Sequence, residues 1–196
     1  LAEAYFVLGD LYRAQKESTA ARDAFIKCIE IPDTPFVSRA RYFLALDEFD
    51  KKAYDKALII LKQNLQDESP TFDRTAYEKS LYKTAWVLLH LQRYEEAVFH
   101  LETATRLYPA NTNALLAREQ IGDAYRKLAE KERLEELELR QRSEMPGLSD
   151  QQRQLLIDSA ASRRKASVAR LTDAVKSFQA LADELAQQAA RRPLSP

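Results

Sequence analysis

The 196-residue sequence predicts an all-α protein, an α-α superhelix of about four helical hairpins followed by long C-terminal helices. Three observations carry that prediction. Apolar residues recur three and four positions apart in short blocks, the signature of a helix with one buried face. The blocks come in pairs that begin at Ala2, Ser38, Glu78 and Leu115, intervals of 36, 40 and 37 residues, with Pro-containing breaks between them. Composition agrees, since 45% apolar and 31% charged residues with only 3 glycines suit helices with solvated outer faces rather than long β structure.

The clearest pair is LYKTAWVLLHLQRYEEAVFHLETATRLYP, from Leu81 to Pro109. Leu81, Ala85 and Leu88 share one helical face, Ala97, Leu101 and Ala104 share a second, and Gln92, Arg93 and Tyr94 interrupt the apolar run between them. A hairpin this small cannot bury both faces alone, so it needs copies of itself on either side.

The first unit lies near residues 2–36, with Tyr5, Leu8, Gly9 and Tyr12 on one face of its first helix and Ala21, Phe25 and Cys28 on its second. Gly9 weakens the helix, so its use predicts close approach of a neighbouring helix. The linker IPDTP ends the unit and offers Thr34 as N-cap and Pro35 as the first helical residue of the next. The second unit, near 38–70, places Leu44 and Ala45 on one helix and Ala57 and Leu61 on the other, with its turn at Lys51 to Tyr54 and the linker DESPTFD after it. The third unit covers 78–110. A fourth starts near 115 and runs through 128 onward, with Ile121, Gly122 and Tyr125 repeating Leu8, Gly9 and Tyr12.

These units form an expected repeat array over residues 1–128 and leave 129–196 as a separate region. After Leu128 the expected second helix becomes the charged run AEKERLEELELRQRSE, read as an extended, partly exposed helix. A loop follows at 143–150, where Ser149 with Gln152 fits a capping box and starts a helix near Asp150. No Pro or Gly interrupts the chain from there to about Arg191, enough for a helix of about 60 Å. Leu171, Ala174, Val175, Phe178, Leu181, Ala182 and Leu185 give it an apolar stripe, and Ala174 with Phe178 reads as a degenerate repeat helix. The chain starts at Leu1 rather than Met, and the tail RRPLSP reads as a linker, so the sequence is expected to be a piece of a longer protein.

The hairpins resemble tetratricopeptide repeats. The motif's large residue, Leu-Gly pair and Tyr correspond to Tyr5, Leu8, Gly9 and Tyr12, its Ala, aromatic and small residue to Ala21, Phe25 and Cys28, and its closing Pro to Pro109. The spacings exceed the standard repeat of about 34 residues, and the excess falls in the linkers. Ala45 and Ala85 replace Gly, Thr84 replaces Leu, and Asn64 stands at a position normally small and apolar. Long-linker repeats of this kind resemble those of bacterial envelope proteins, the outer-membrane assembly lipoproteins and the coordinators of cell-wall synthesis among them. That likeness implies the bacterial cell envelope as compartment and leaves the cytoplasm open.

Composition and motifs exclude several function classes. Lys plus Arg and Asp plus Glu balance at 30 each, so no global field gathers nucleic acid or an anionic membrane. No apolar run approaches the roughly 20 residues that span a bilayer. Cys28 is the only cysteine, which excludes an internal disulfide, and it reads as a small core residue. His90 and His100 lack partners at metal-ligand spacing and are expected to be exposed or capping. The isolated glycines form no phosphate loop. Glu132, Glu135, Glu136 and Glu138 alternate with Lys131, Arg133 and Arg140 as a solvated helix face rather than an acid/base site. The sequence therefore predicts no catalytic residues, no metal and no cofactor.

The resemblance implies that the first helices of successive repeats line a concave groove that holds peptides or partner helices. The outward-turned residues there are Phe6, Tyr42, Leu46, Phe49, Tyr82, Trp86 and Leu89, continuing into Glu119, Asp123 and Arg126 on the fourth unit. Contiguous exposed aromatic surface marks contact sites, and Trp and Tyr carry binding energy at interfaces. The groove lacks the Lys, Asn and Arg set that the family uses to clamp a C-terminal carboxylate. The expected function is a non-enzymatic scaffold that binds a protein partner, a peptide or a helix. The alternative is a structural or self-assembling spacer, its groove filled by its own C-terminal helix or by a second copy in a homodimer.

Overall fold

The computed structural model describes residues 1–67, 71 and 73–191. Pro70 of the second linker and the tail beyond Arg191 lie outside the described residues. Among the described residues eight helices form: α1 (Ala2–Ala14), α2 (Ser18–Ile29), α3 (Pro35–Asp50), α4 (Tyr54–Leu65), α5 (Arg74–His90), α6 (Tyr94–Leu107), α7 (Ala114–Ser143) and α8 (Asp150–Arg191). No strand occurs among the described residues. The chain divides into two compact units, Leu1–Pro109 and Ala110–Pro196.

In the first unit, α1 and α2, α3 and α4, and α5 and α6 are successive hairpins. Their turns are built alike. Lys16, Lys52 and Gln92 each take a positive φ near 60°. The amide of each bonds back to Arg13, Phe49 or Leu89, and the next amide reaches Tyr12, Glu48 or Leu88. This is the Schellman arrangement, which satisfies the last carbonyls of a helix and reverses the chain. None of the three positions is Gly, although a left-handed backbone costs an L-residue about 1–2 kcal/mol.

The repeat faces then pack as their periodicity requires. Ala2, Ala21, Phe25, Cys28, Ala40 and Leu44 form one buried cluster, and Ala45, Ala57, Leu58, Leu61, Val87, Leu88 and Ala97 form the next. Gly9 faces the Phe25 ring so closely that an added Cβ would lie 2.6 Å from it. Leu8, expected on the core face, is 39% exposed because Gly9, one position round the helix, takes the contact with α2. The Cys28 thiol is buried and donates to the Phe36 carbonyl at 3.6 Å, and burial raises its pKa.

Two polar devices hold the second and third hairpins together. Asn64, on α4, donates from Nδ2 to the Ser38 carbonyl at 2.8 Å and to Ser80 Oγ at 3.0 Å, so one buried amide ties α3, α4 and α5. Asp73 caps α5 by accepting from the Ala76 N–H at 2.8 Å, and its other oxygen accepts from Arg39 of α3. Thr34 occupies the N-cap position of α3, followed by Pro35, but its hydroxyl makes no capping bond.

The second unit is a single long antiparallel hairpin of α7 and α8. Arg153 donates to the Ser143 carbonyl at 2.8 Å beside the turn, and Arg163 pairs with Glu132 and Glu135 further along. Ser167 Oγ donates to the Ala129 carbonyl at 2.9 Å, and Arg118 meets Glu184 near the open end. Ala160, Ser167 and Ala174, seven residues apart and all buried, are small enough for the helices to run close together. Ser149 and Gln152 form the expected capping box, the Ser149 N–H reaching Gln152 Oε1 at 2.9 Å and the Gln152 N–H reaching Ser149 Oγ at 3.2 Å.

The expected boundary between residues 128 and 129 is corrected by this arrangement. The division falls after Pro109, and Leu128 and Ala129 are buried inside an unbroken α7. The fourth unit's second helix is not the charged run but α8. Gly122 faces the Phe178 ring, where an added Cβ would lie 2.7 Å away, as Gly9 faces Phe25. Gly and Phe are 16 residues apart in the first hairpin and 56 in this one, so 40 additional residues carry the turn outward.

Candidate functional site

The first helices of the three short hairpins are neighbours, α1 against α3 and α3 against α5. Between them opens a cavity of about 360 Å³ lined by Phe6, Arg39, Tyr42, Phe43, Asp73, Thr75, Ala76 and Lys79. Its apolar wall is an aromatic cluster. The Phe6 ring lies 5.5 to 5.9 Å from Phe25, Phe36 and Phe43, Phe43 stacks on Phe25 at 5.3 Å, and Tyr42 meets Phe43 edge-on at 5.8 Å. Such contacts fix the rings before any ligand arrives. Burial raises the Tyr42 hydroxyl pKa, with Arg13 opposing, so the phenol is neutral and available as a donor.

The polar wall is asymmetric. Burial by itself would raise the Asp73 carboxyl, but the Ala76 N–H and the Arg39 guanidinium hold it below the ordinary carboxylate range. Arg39 is thereby committed to Asp73, while Lys79 is exposed on the rim. The cavity thus combines rings with one positive rim charge.

A second cluster stands further along the same helices. Lys83 of α5 lies over the Phe49 ring at 4.1 Å and the Trp86 ring at 5.5 Å, a cation held between two aromatic faces. Burial lowers the Lys83 pKa, with Asp50 opposing. His90 stacks on Tyr54 at 4.7 Å and meets Phe49 edge-on at 5.2 Å.

The expected groove residues therefore separate. Phe6 and Tyr42 meet in the cavity, and Phe49 and Trp86 meet around Lys83. Leu46 lines a smaller hollow of about 170 Å³ with Arg13, Arg22, Phe43 and Asp47. Leu89 is half-buried against the core of the second and third hairpins. Tyr82 is a correction: it is 1% exposed, and its hydroxyl donates to the Tyr108 carbonyl at 3.1 Å, so it fastens α5 to the end of α6 instead of facing a ligand. Glu119, Asp123 and Arg126 belong to α7 in the second unit, where Arg126 pairs with Asp123 one turn away at 2.9 Å.

His100 is also corrected, because it is half-buried rather than exposed, with Nδ1 unpartnered. Burial and nearby Lys62 lower its pKa, against the effect of Glu96. Among the described residues, no three His, Cys, Asp or Glu side chains converge to hold a metal ion, and no helix is long and apolar enough to cross a membrane.

Sequence reasoning missed Phe43, Arg39, Lys79 and Lys83. Phe43 sits where α3 passes between two hairpin cores, and the pattern Phe36, Arg39, Tyr42, Phe43 at helical spacing was its available signal. Residues 2–34 and residues 78–111 each match a family model described as tetratricopeptide repeat. These stretches are the first and third hairpins. No curated protein matches the chain.

Proposed function

Because the chain is a tetratricopeptide-repeat protein, in a family whose repeats mediate protein–protein interaction, we propose that its first unit binds an apolar or amphipathic segment of another protein across α1, α3 and α5. Repeats of this family are typically non-enzymatic scaffolds. The single observation that carries the reading is the cavity of about 360 Å³ between the first helices, walled by Phe6, Tyr42 and Phe43 and edged by Lys79. A volume of that order accepts one or two large apolar side chains. Burying one such side chain contributes about 1.5–3 kcal/mol, and rings already locked by their neighbours lose little entropy on binding.

The rim then sets polarity. Arg39 is neutralised by Asp73, which leaves Lys79 to favour a carboxylate beside the apolar anchor. The Lys83 cluster, with Phe49 and Trp86, offers a second contact for a longer segment.

Selection of random peptides against the full chain tests it, with counter-selection on Tyr42→Ala and Lys79→Glu. Enriched peptides are expected to carry an aromatic or large aliphatic residue next to an acidic one. They should bind Tyr42→Ala at least tenfold more weakly, the scale of a lost interface anchor. Peptides that bind both variants as tightly as the parent chain would count against the site.

A further inference from the structure

The aromatic cavity and the Lys83 cluster are two stops on one furrow between α3 and α5. Arg39 and Tyr42 of α3 face Ala76 and Lys79 of α5 in the cavity, and Phe49 of α3 meets Lys83 of α5, beside Trp86, in the cluster. The order is the same on both helices, so they run parallel. With Leu46 at the intervening position, the α3 wall reads 39, 42, 46, 49 and the α5 wall 76, 79, 83, 86, both spaced three, four and three. The walls extend about 15 Å, and the step from Tyr42 to Phe49 is seven residues, about 10.5 Å.

A chain laid along this furrow reaches both stops only with side chains that point the same way. An α-helix presents the same face again after seven residues, about 10.5 Å, and so matches the separation. A β-strand returns to the same face at about 6.6 or 13 Å and misses it. Polyproline II returns every three residues, about 9.3 Å, yet leaves its backbone unbonded. Backbone satisfaction separates these two. The furrow is walled by helices whose amides and carbonyls are bonded within α3 and α5, and neither wall row carries Asn or Gln. Arg39 is already held by Asp73. An extended chain would turn bare N–H and C=O groups toward apolar rings, whereas a helix bonds its own.

If, as proposed above, the first unit binds a segment of another protein, we infer that this segment binds as an α-helix of about three turns lying between α3 and α5. It carries large apolar residues at i and i+7, the first seated in the cavity and the second against Phe49 and Trp86. Charge sets its flank. Lys79 and Lys83 stand one turn apart on α5, and neither forms an ion pair among the described residues, Asp50 acting on Lys83 only from a distance. The bound helix therefore presents two acidic residues, four apart, toward α5.

Peptides enriched on the full chain and weakened by Tyr42→Ala are the probes, each remade with Pro midway between its two anchors and with a lactam bridge joining positions four apart on its outward face. Pro is expected to weaken binding at least tenfold, because it breaks a helix, and the bridge to tighten it about threefold by holding the helix before binding. Changing the peptide's acidic residue opposite Lys79 to Lys should weaken binding about threefold on the parent chain and restore it on Lys79→Glu. Peptides that keep the Tyr42 dependence but tolerate Pro, or bind less tightly with the bridge, would overturn the helix and leave the site standing. Peptides indifferent to Tyr42→Ala would remove the site, and the helix with it.

Discussion

The first hairpin and the last solve one packing problem at two lengths. In both, a Gly on the first helix admits a Phe ring from the second, Gly9 with Phe25 and Gly122 with Phe178, and in both an Ala four residues before the Phe is buried. They differ in where the chain turns. Lys16 breaks α1 with a positive φ, whereas α7 continues through Leu128 and Ala129 and the turn is delayed to Gly147. The difference teaches that the helix-packing contacts and the reversal are separable parts of the repeat. The turn can be carried far along the helices so long as the returning strand of helix supplies small residues such as Ala160 and Ser167 to keep the pair close.

The strongest way to break that equivalence is to remove the rings. Phe25→Ala should cost about 3–5 kcal/mol, since the ring is 3% exposed and walled in by other aromatics. Phe178→Ala should cost clearly less, because that ring is 37% exposed and bounded chiefly by α7. Urea unfolding of each variant measures the two losses, and equal losses would deny the contrast.

Next in size is Asp73, which has no counterpart in the long hairpin. Asp73→Ala removes both the α5 cap and the Arg39 link and should cost about 1–2 kcal/mol. Its folded pKa is depressed, so its contribution is complete above the ordinary carboxylate pKa and lost as pH falls through the lower folded value. The parent chain should therefore lose stability on acidification below about pH 4, more steeply than Asp73→Ala.

Smaller effects come from the turns. Gln92→Gly and Lys52→Gly should stabilise the first unit by about 0.5–1 kcal/mol, since Gly takes positive φ without strain. Ala129→Gly, at the corresponding point of α7, should cost about 1 kcal/mol because the backbone there is helical. Opposite signs in thermal melts sharpen the comparison, and matching signs would erase it.

The smallest is a pH effect at His100. Its folded pKa is depressed by burial and Lys62, so stability is full above the ordinary histidine value of about 6.5 and falls as pH drops through the folded one. His100→Gln should flatten the melting temperature between pH 7 and 5.

Much of this was legible in the sequence. Period-3.6 patterning and Pro-bearing linkers mark the three short hairpins, and Ser149 with Gln152 announces the start of α8, because these signals act within a few residues. The partner of Gly122 was not legible from spacing, since it lies 56 residues away at Phe178 and no local rule links them. Site residues fared similarly. Helical spacing places Phe6, Tyr42 and Trp86 on the first helices, but the fate of Tyr82 depends on the Tyr108 carbonyl at the end of another helix. Lys79 and Lys83 look like ordinary surface lysines until the cavity and the Phe49 and Trp86 rings are in place.

The proposed partner lies along the first helices of the short hairpins. Hydrogen exchange of the full chain, with and without a selected peptide, tests it most directly, because binding protects the backbone it orders. Added protection on α1, α3 and α5, accompanied by a shift in the emission of Trp86, the only tryptophan, is the predicted result. Protection confined to α2, α4 and α6, or to α8, with Trp86 emission unchanged, would contradict it.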